Sequence, residues 1–327
     1  MRASRVARLV VAGVCVTTVC IGGTMSASEA SSPKFTKTKL LWSENFSGKA
    51  ASAVPTIETY AEQMMDGPKT ASGKTRTTYW AADQGDGSGS GGGAGWGNNE
   101  KEYYIDEMLS RDGQGNLAVT ATRTDLHPDL APLGWEDHIE WGYLSGKINT
   151  AGKLGFKYGY IEARIKTPAG NGTWPAFWLL GANVHHGVDW PQCGEIDIME
   201  NVGRDPMTVM GTIHGPGYSG GDGPTSNAYA DAPVSDAFHK YAVLWLPNKI
   251  QWFFDGQLYQ TLTPTSAGVN GEWVFNKEFF MIINVAMGGN LGGELDPSVE
   301  STTMLVDYVK YYKVKVGSKT YGTLYKH

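Results

Sequence analysis

Cysteine is almost missing from this chain: it has three in 327 residues. Cys15 and Cys20 fall in an N-terminal stretch read as removable, which leaves Cys193 alone. With no intrachain disulfide to form, the fold must be held by its own apolar core, and a chain of this length can bury one. Helical periodicity and internal repeats are lacking as well. Positive charge is in deficit, with 27 Lys and Arg against 33 Asp and Glu. A net charge of −6 argues against nucleic acid or anionic lipid as a partner. There is also no apolar run long enough to cross a bilayer. The uncharged stretch from Leu9 to Met25 is shorter than the roughly 20 residues required.

Arg2, Arg5 and Arg8 precede that stretch, and the small residues Ser26-Ala27-Ser28 follow it. This is the pattern of a secretory signal peptide, with cleavage after Ser28 or Ala30. Residues 1–30 are therefore read as a signal and 31–327 as one domain, extracellular and monomeric, with no membrane contact once the signal is gone. Arg2, Arg5, Arg8 and Glu29 leave with the signal, so the net charge falls from −6 to −8. A neutral polysaccharide suits such a surface better than a polyanion. Cys193 reads as a small buried filler rather than a nucleophile, because no local signature places a His beside it.

What the chain does have is glycine, aromatics and short alternating runs, which together read as all-β. Tyr160–Lys166, Lys240–Trp245 and Ile250–Phe254 alternate, and Asp255-Gly256 is a hairpin signal. Phe279–Met287 is apolar except for Asn284, as expected of a strand covered on both faces. Thr303–Val316 is expected to close a sheet. The glycine-rich stretch Asp86–Gly97 has linker composition. It is read instead as a long mobile loop over one end of a cleft, running into Trp96 and Asn98.

Chemistry concentrates in Gly194-Glu195-Ile196-Asp197-Ile198-Met199-Glu200-Asn201. Glu195 and Asp197 share one face of a strand, while Glu200 is a residue out of phase. A β-bulge at Ile198-Met199 would return it to that face. Crowded carboxylates raise one another's pKa, so such a row is costly unless it is used. Cleavage of glycosides uses paired carboxyl groups of this kind.

Glu-Ile-Asp-Ile-Met-Glu resembles the active-site signature of family 16 glycoside hydrolases, in the bulged form of the laminarinase-like endo-β-1,3-glucanases. Other blocks are similar to the family's and come in its order. They are Gly95–Glu100, Tyr158–Arg164, Trp174–Trp178, Gly211–Pro216 and Val306–Val309. The resemblance covers roughly Leu40 to Val314. It implies a jelly roll of two curved antiparallel sheets whose concave face holds the cleft. It implies an endo-acting, retaining hydrolase of β-1,3 or mixed β-1,3-1,4 glucans that needs no cofactor for catalysis. Glu195 would be the nucleophile, Glu200 the acid/base and Asp197 an assistant between them, with His214 in support.

Trp174 and Trp190 are assigned to the groove, and Trp178 fits groove and core equally. Trp245 and Trp252 are assigned to the core. Trp96 and Asn98 are candidate sugar contacts. Lys147 is a further candidate sugar contact, standing where many relatives have Arg; if that Arg grips a sugar bidentately, Lys is not equivalent. Relatives also suggest a structural calcium held by Asp307, with Glu44 adding an oxygen. His185-His186 have no third ligand at zinc spacing. Two other readings compete. One is a glucan-binding protein on this fold, though such relatives lose the acids. The other is a hydrolase or transglycosylase acting on galactan or agarose.

Overall fold

The computed structural model describes residues 34–47, 51–52, 79–88, 93–130 and 142–327. The expected signal, residues 1–30, lies outside them, as does part of the glycine-rich loop. Lys34–His327 form one compact unit. The described secondary structure is overwhelmingly strand, and the helices are single short turns.

Two sheets stack face to face. One has 12 strands, with Gly159–Lys166 and Ser301–Val316 paired at its centre. The sequence expectation for Thr303–Val316, part of the strand Ser301–Val316, needs correction here. It does not close the sheet but lies inside it, hydrogen-bonded along its length to Thr36–Glu44, Gly159–Lys166 and Leu117–Arg123. At 16 residues it is long enough to serve different neighbours at its two ends. Pairing is antiparallel except between Glu102–Tyr104 and Tyr143–Ser145, which run parallel. The Asp255-Gly256 hairpin forms as read, both residues taking positive φ, as a tight two-residue turn requires.

The second sheet has nine strands. Its main path runs Thr225–Tyr229, Asp205–His214, Glu195–Val202, Thr173–Gly181, Phe279–Met287, Lys147–Asn149, Ala81–Ala82. One face supplies Phe177, Leu179, Ile196, Met199, Ile213, Met281 and Ile283 to the core. Facing them from the other sheet are Ile161, Ala163, Val243, Trp245, Trp252 and Val306. Each such side chain contributes about 1.5–3 kcal/mol on burial. Trp245 and Trp252 are fully buried, as read. This layer is what lets the opposite face of the same strands carry polar groups.

Candidate active site

The bulge read from the sequence forms where it was placed. On the strand Thr173–Gly181, Trp178 pairs with Asp197 and Phe177 with Met199, so Ile198 has no partner of its own. Glu195 lies opposite Leu180 and Glu200 opposite Ala176. Five residue steps on the acidic strand thus span four on its neighbour, roughly 13 Å at about 3.3 Å each. Ile198 and Met199 are both buried in the core. Burying both turns Glu200 to the cleft side with Glu195 and Asp197.

The neighbours hold this row in place. The Trp174 indole N–H donates to Glu200 Oε1 at 2.9 Å. His214, opposite Glu195 in the register, puts Nε2 3.2 Å from Asp197 Oδ2 and 3.6 Å from Glu195 Oε1. Beneath the row, core Trp252 donates its indole N–H to the Asp197 carbonyl at 2.8 Å. That contact pins the strand at its midpoint from the core side. Side-chain oxygens of Glu195 and Asp197 and a ring nitrogen of His214 all lie within 4.8 Å of one another. The same types can hold a cation, but here they belong to a row of three acids set for proton and charge transfer.

Burial, above all, pushes all three carboxyls up, each to about 8. The Asp197 charge adds to the rise at Glu195 and Glu200. His214 works against it at both, and the Trp174 N–H works against it at Glu200. Three carboxyls this close cannot all ionise near neutrality, so protons leave in steps that belong to the trio. At neutral pH the row can hold a carboxylate and a carboxylic acid together, as acid–base catalysis needs. Trp174→Phe removes a donor that favours Glu200 ionised, so Glu200 should bind its proton more tightly. The alkaline limb of kcat/KM should therefore move to higher pH; a limb that stays put or moves lower in a pH–rate profile would contradict this.

Trp178 sits on the cleft face, half-buried, its N–H donated to Asn284 Oδ1 at 2.8 Å. The Asn284 amide donates in turn to Tyr104 Oη at 3.0 Å. Tyr104 Oη reaches Glu100 Oε2 at 3.4 Å, and Asn98 donates to Glu100 Oε1 at 3.1 Å. A polar chain therefore runs from the floor of the cleft to the end of the glycine-rich loop. Sequence reasoning missed Asn284 as a site residue, although its signal was present: one amide in an apolar strand. Glu100 and Tyr104 carried no separable signal. Nearby Glu102 is fully buried and accepts the Met287 N–H at 2.7 Å. Burial, with Glu100 beside it, holds its carboxyl well above the usual range.

Lys147 lies opposite Asn284 in the register, on the cleft face, and is already engaged. It is buried, with Nζ 3.5 Å from Asp83 Oδ2 and 3.7 Å from the centre of the Trp96 ring. Trp96 meets Tyr104 edge to face at 5.3 Å. Gly95, Trp96 and Gly97 all have positive φ, and a Cβ on Gly95 would come within 3.1 Å of Glu100 backbone. Lys147 is thus a cationic strut under Trp96. The compact ammonium fits between carboxylate and ring, where a planar guanidinium would need more room.

Trp190 is 45% exposed, its ring 5.9 Å from that of His214, so it flanks the acids from outside. Cys193 is buried, and burial pushes its thiol up to about 11, consistent with an inert filler. His185 stacks on Phe280. Away from the cleft, Asp307 pairs with Arg164 at 2.6 Å. Glu44 Oε1 accepts the N–H groups of Asn45 and Phe46, both at 2.9 Å. Each residue proposed for calcium is thus committed to a local partner, and a guanidinium occupies the Asp307 side.

Paired acids buried in a row on the outer face of one sheet, with indoles around them, define a polysaccharide-cleaving type of site. The model for glycosyl hydrolases family 16 matches residues 97–310, and the chain belongs to that family. It is a glycoside hydrolase. It is 36% identical over 229 residues to a β-glucanase of Rhodothermus marinus, covering 67% of this chain and 76% of that protein. It is also 36% identical over 236 residues to glucan endo-1,3-β-glucosidase A1 of Niallia circulans, but spans only 33% of that longer protein. Among solved structures, the catalytic domain of an endo-1,3-β-glucanase (laminarinase) from Thermotoga petrophila superposes with a TM-score of 0.67. That match is 35% identical and covers 84% of this chain and 97% of that one.

Proposed function

We propose that this protein is a secreted endo-β-1,3-glucanase that also accepts mixed β-1,3-1,4 glucan and works with retention. The observation that carries this reading is the bulged row, which sets Glu195, Asp197 and Glu200 on one buried face. The glucanase names of the relatives support the substrate class, and the signal-like N-terminus supports export.

In this reading Glu195, ionised, attacks the anomeric carbon while Glu200 gives its proton to the glycosidic oxygen. The carbon–oxygen bond breaks, the leaving chain departs as an alcohol, and an ester joins the sugar to Glu195. Glu200, now a carboxylate, takes a proton from water as the water oxygen bonds to the anomeric carbon. The ester breaks and both groups return to their starting states. Asp197 lies between the two acids, and when ionised its charge opposes early proton loss from Glu200. The enzyme acts as a monomer, and none of these steps needs a cofactor.

The test is to incubate the mature protein separately with laminarin, barley mixed-linkage glucan, carboxymethylcellulose, agarose and β-1,3-galactan, and to size the products. A ladder of short oligosaccharides from laminarin is expected. Release from agarose or galactan alone would keep the chemistry and overturn the substrate. No products from any of them would favour a glucan-binding role despite the intact acids.

A further inference from the structure

The edge strand Thr225–Tyr229 carries the cleft face past the acids. Thr225 lies opposite Thr212, Asn227 opposite Met210 and Tyr229 opposite Thr208. Met210 is itself opposite Glu200, and Thr212 opposite Asp197. Asn227 and Tyr229 therefore continue the acidic strand's outer face, with Asn227 two strand spacings, about 9.5 Å, from Glu200. Tyr229 is 72% exposed, more than any other large apolar side chain among the described residues.

Beyond Tyr229 the chain turns round the sheet edge and encloses an open cavity of about 620 Å³. The volume is within the range of small-molecule sites. Asn227, Tyr229, Asp231, Asp236, Gln257 and Tyr259 give its polar and aromatic wall, and much of the rest is apolar, from four alanines, Pro233 and Phe254. His239, on its wall, is held by Asp255 at 2.7 Å, and the lining includes no Lys or Arg. The wall thus combines aromatic surface with carboxylates and amides and carries a negative charge. It would repel a polyanion and suits a neutral, hydroxyl-rich chain.

We infer that this lateral groove is a second glucan-binding site, with Tyr229 as its aromatic platform. The inference rests on the glucanase reading. A chain leaving the cleft over Asn227 meets Tyr229 next, so a long polymer can be held at both places and a short one at the cleft alone. Holding it twice raises the effective concentration of polymer at the acids without any new contact in the cleft.

The test uses Glu195→Gln protein, which binds without turnover, alone and combined with Tyr229→Ala. Laminarin affinity is measured by retardation in native gels, and laminaritriose affinity by calorimetry. Tyr229→Ala should weaken laminarin binding about fivefold, the factor one aromatic contact contributes, with laminaritriose binding held within about twofold. Asp231→Ala with Asp236→Ala should act in the same direction. Unchanged laminarin binding would overturn the second site. Equal losses for polymer and trisaccharide would make Tyr229 part of the cleft and also overturn it. If the Glu195→Gln protein itself binds no laminarin, the glucan reading fails, and this site fails with it.

Discussion

Glu195→Gln should lower turnover of laminarin by at least about 10⁴-fold while leaving its affinity nearly unchanged, since loss of a nucleophile costs on this order in enzymes where it has been removed. Glutamine keeps the size and hydrogen-bonding reach of the side chain but cannot attack as an anion. Because Leu180 and His214 fix the Glu195 backbone on either side, the cleft should keep its shape. Retention of more than a few percent of wild-type kcat would assign the nucleophile elsewhere. The same substitution has a second consequence. Burial raises the Glu195 carboxyl together with its two neighbours to about 8, so between about 4.5 and 8 the row holds protons that the unfolded chain releases. Stability is therefore fullest below about 4.5 and is lost as pH rises through 8. A glutamine carries no such penalty. At pH 9 the variant should melt at a higher temperature than the wild type, and at pH 5 the gap should narrow. A variant that melts lower at pH 9 would show that the Glu195 charge is stabilised by its surroundings rather than opposed.

The acidic row was legible in the sequence because it violates a local rule. Three carboxylates on an apolar strand need a reason, and the phase slip at Glu200 names the bulge that supplies it. The jelly roll was legible through alternation and through the ordered family blocks. Partnership was harder to read. Trp174 was assigned to the groove for its flat ring, yet its indole N–H is committed to Glu200. Trp252 was assigned to the core, which is right, but its contact with the Asp197 carbonyl crosses 55 residues and two sheets. Lys147 was read by analogy as a sugar contact. Its partners lie on either side of the glycine run, Asp83 before it and Trp96 near its end, and composition there says only loop. Thr303–Val316 was read as a closing strand because it comes last among the strong alternations. Sequence order does not give spatial order in a sheet whose strands return from long connections. In each case the local pattern reported residue type and face, and the missing information was which distant strand lay alongside.

Glu200→Ala offers the most discriminating experiment, because it separates the two halves of the reaction. Without the acid, polymer cleavage should fall by about 10²–10⁴-fold, since the sugar leaving group needs its proton. An aryl oligosaccharide with a good leaving group needs none, so Glu195 should still form the ester. The second half should then stall, because no base remains to take the proton from water. Azide needs no base. In the wild type the Glu200 carboxylate and Asp197 would both repel it; with alanine, space opens and one charge is gone. Added azide should therefore restore release of the aryl group and yield a sugar azide, identified by NMR. Two successive displacements at the anomeric carbon leave its configuration unchanged, so the product should be the β-azide. An α-azide would mean a single displacement and an inverting enzyme, and Glu195 would then be a base acting through water. Absence of rescue with an intact fold would remove Glu200 from the acid role altogether. The first outcome is the one the proposed retaining mechanism requires. The bulge shortens the path between Glu195 and Glu200 by one residue step, and Asp197, with His214 Nε2 3.2 Å from its Oδ2, lies between them. A shorter path is the direction a double displacement needs, since its two carboxyl groups must stand close.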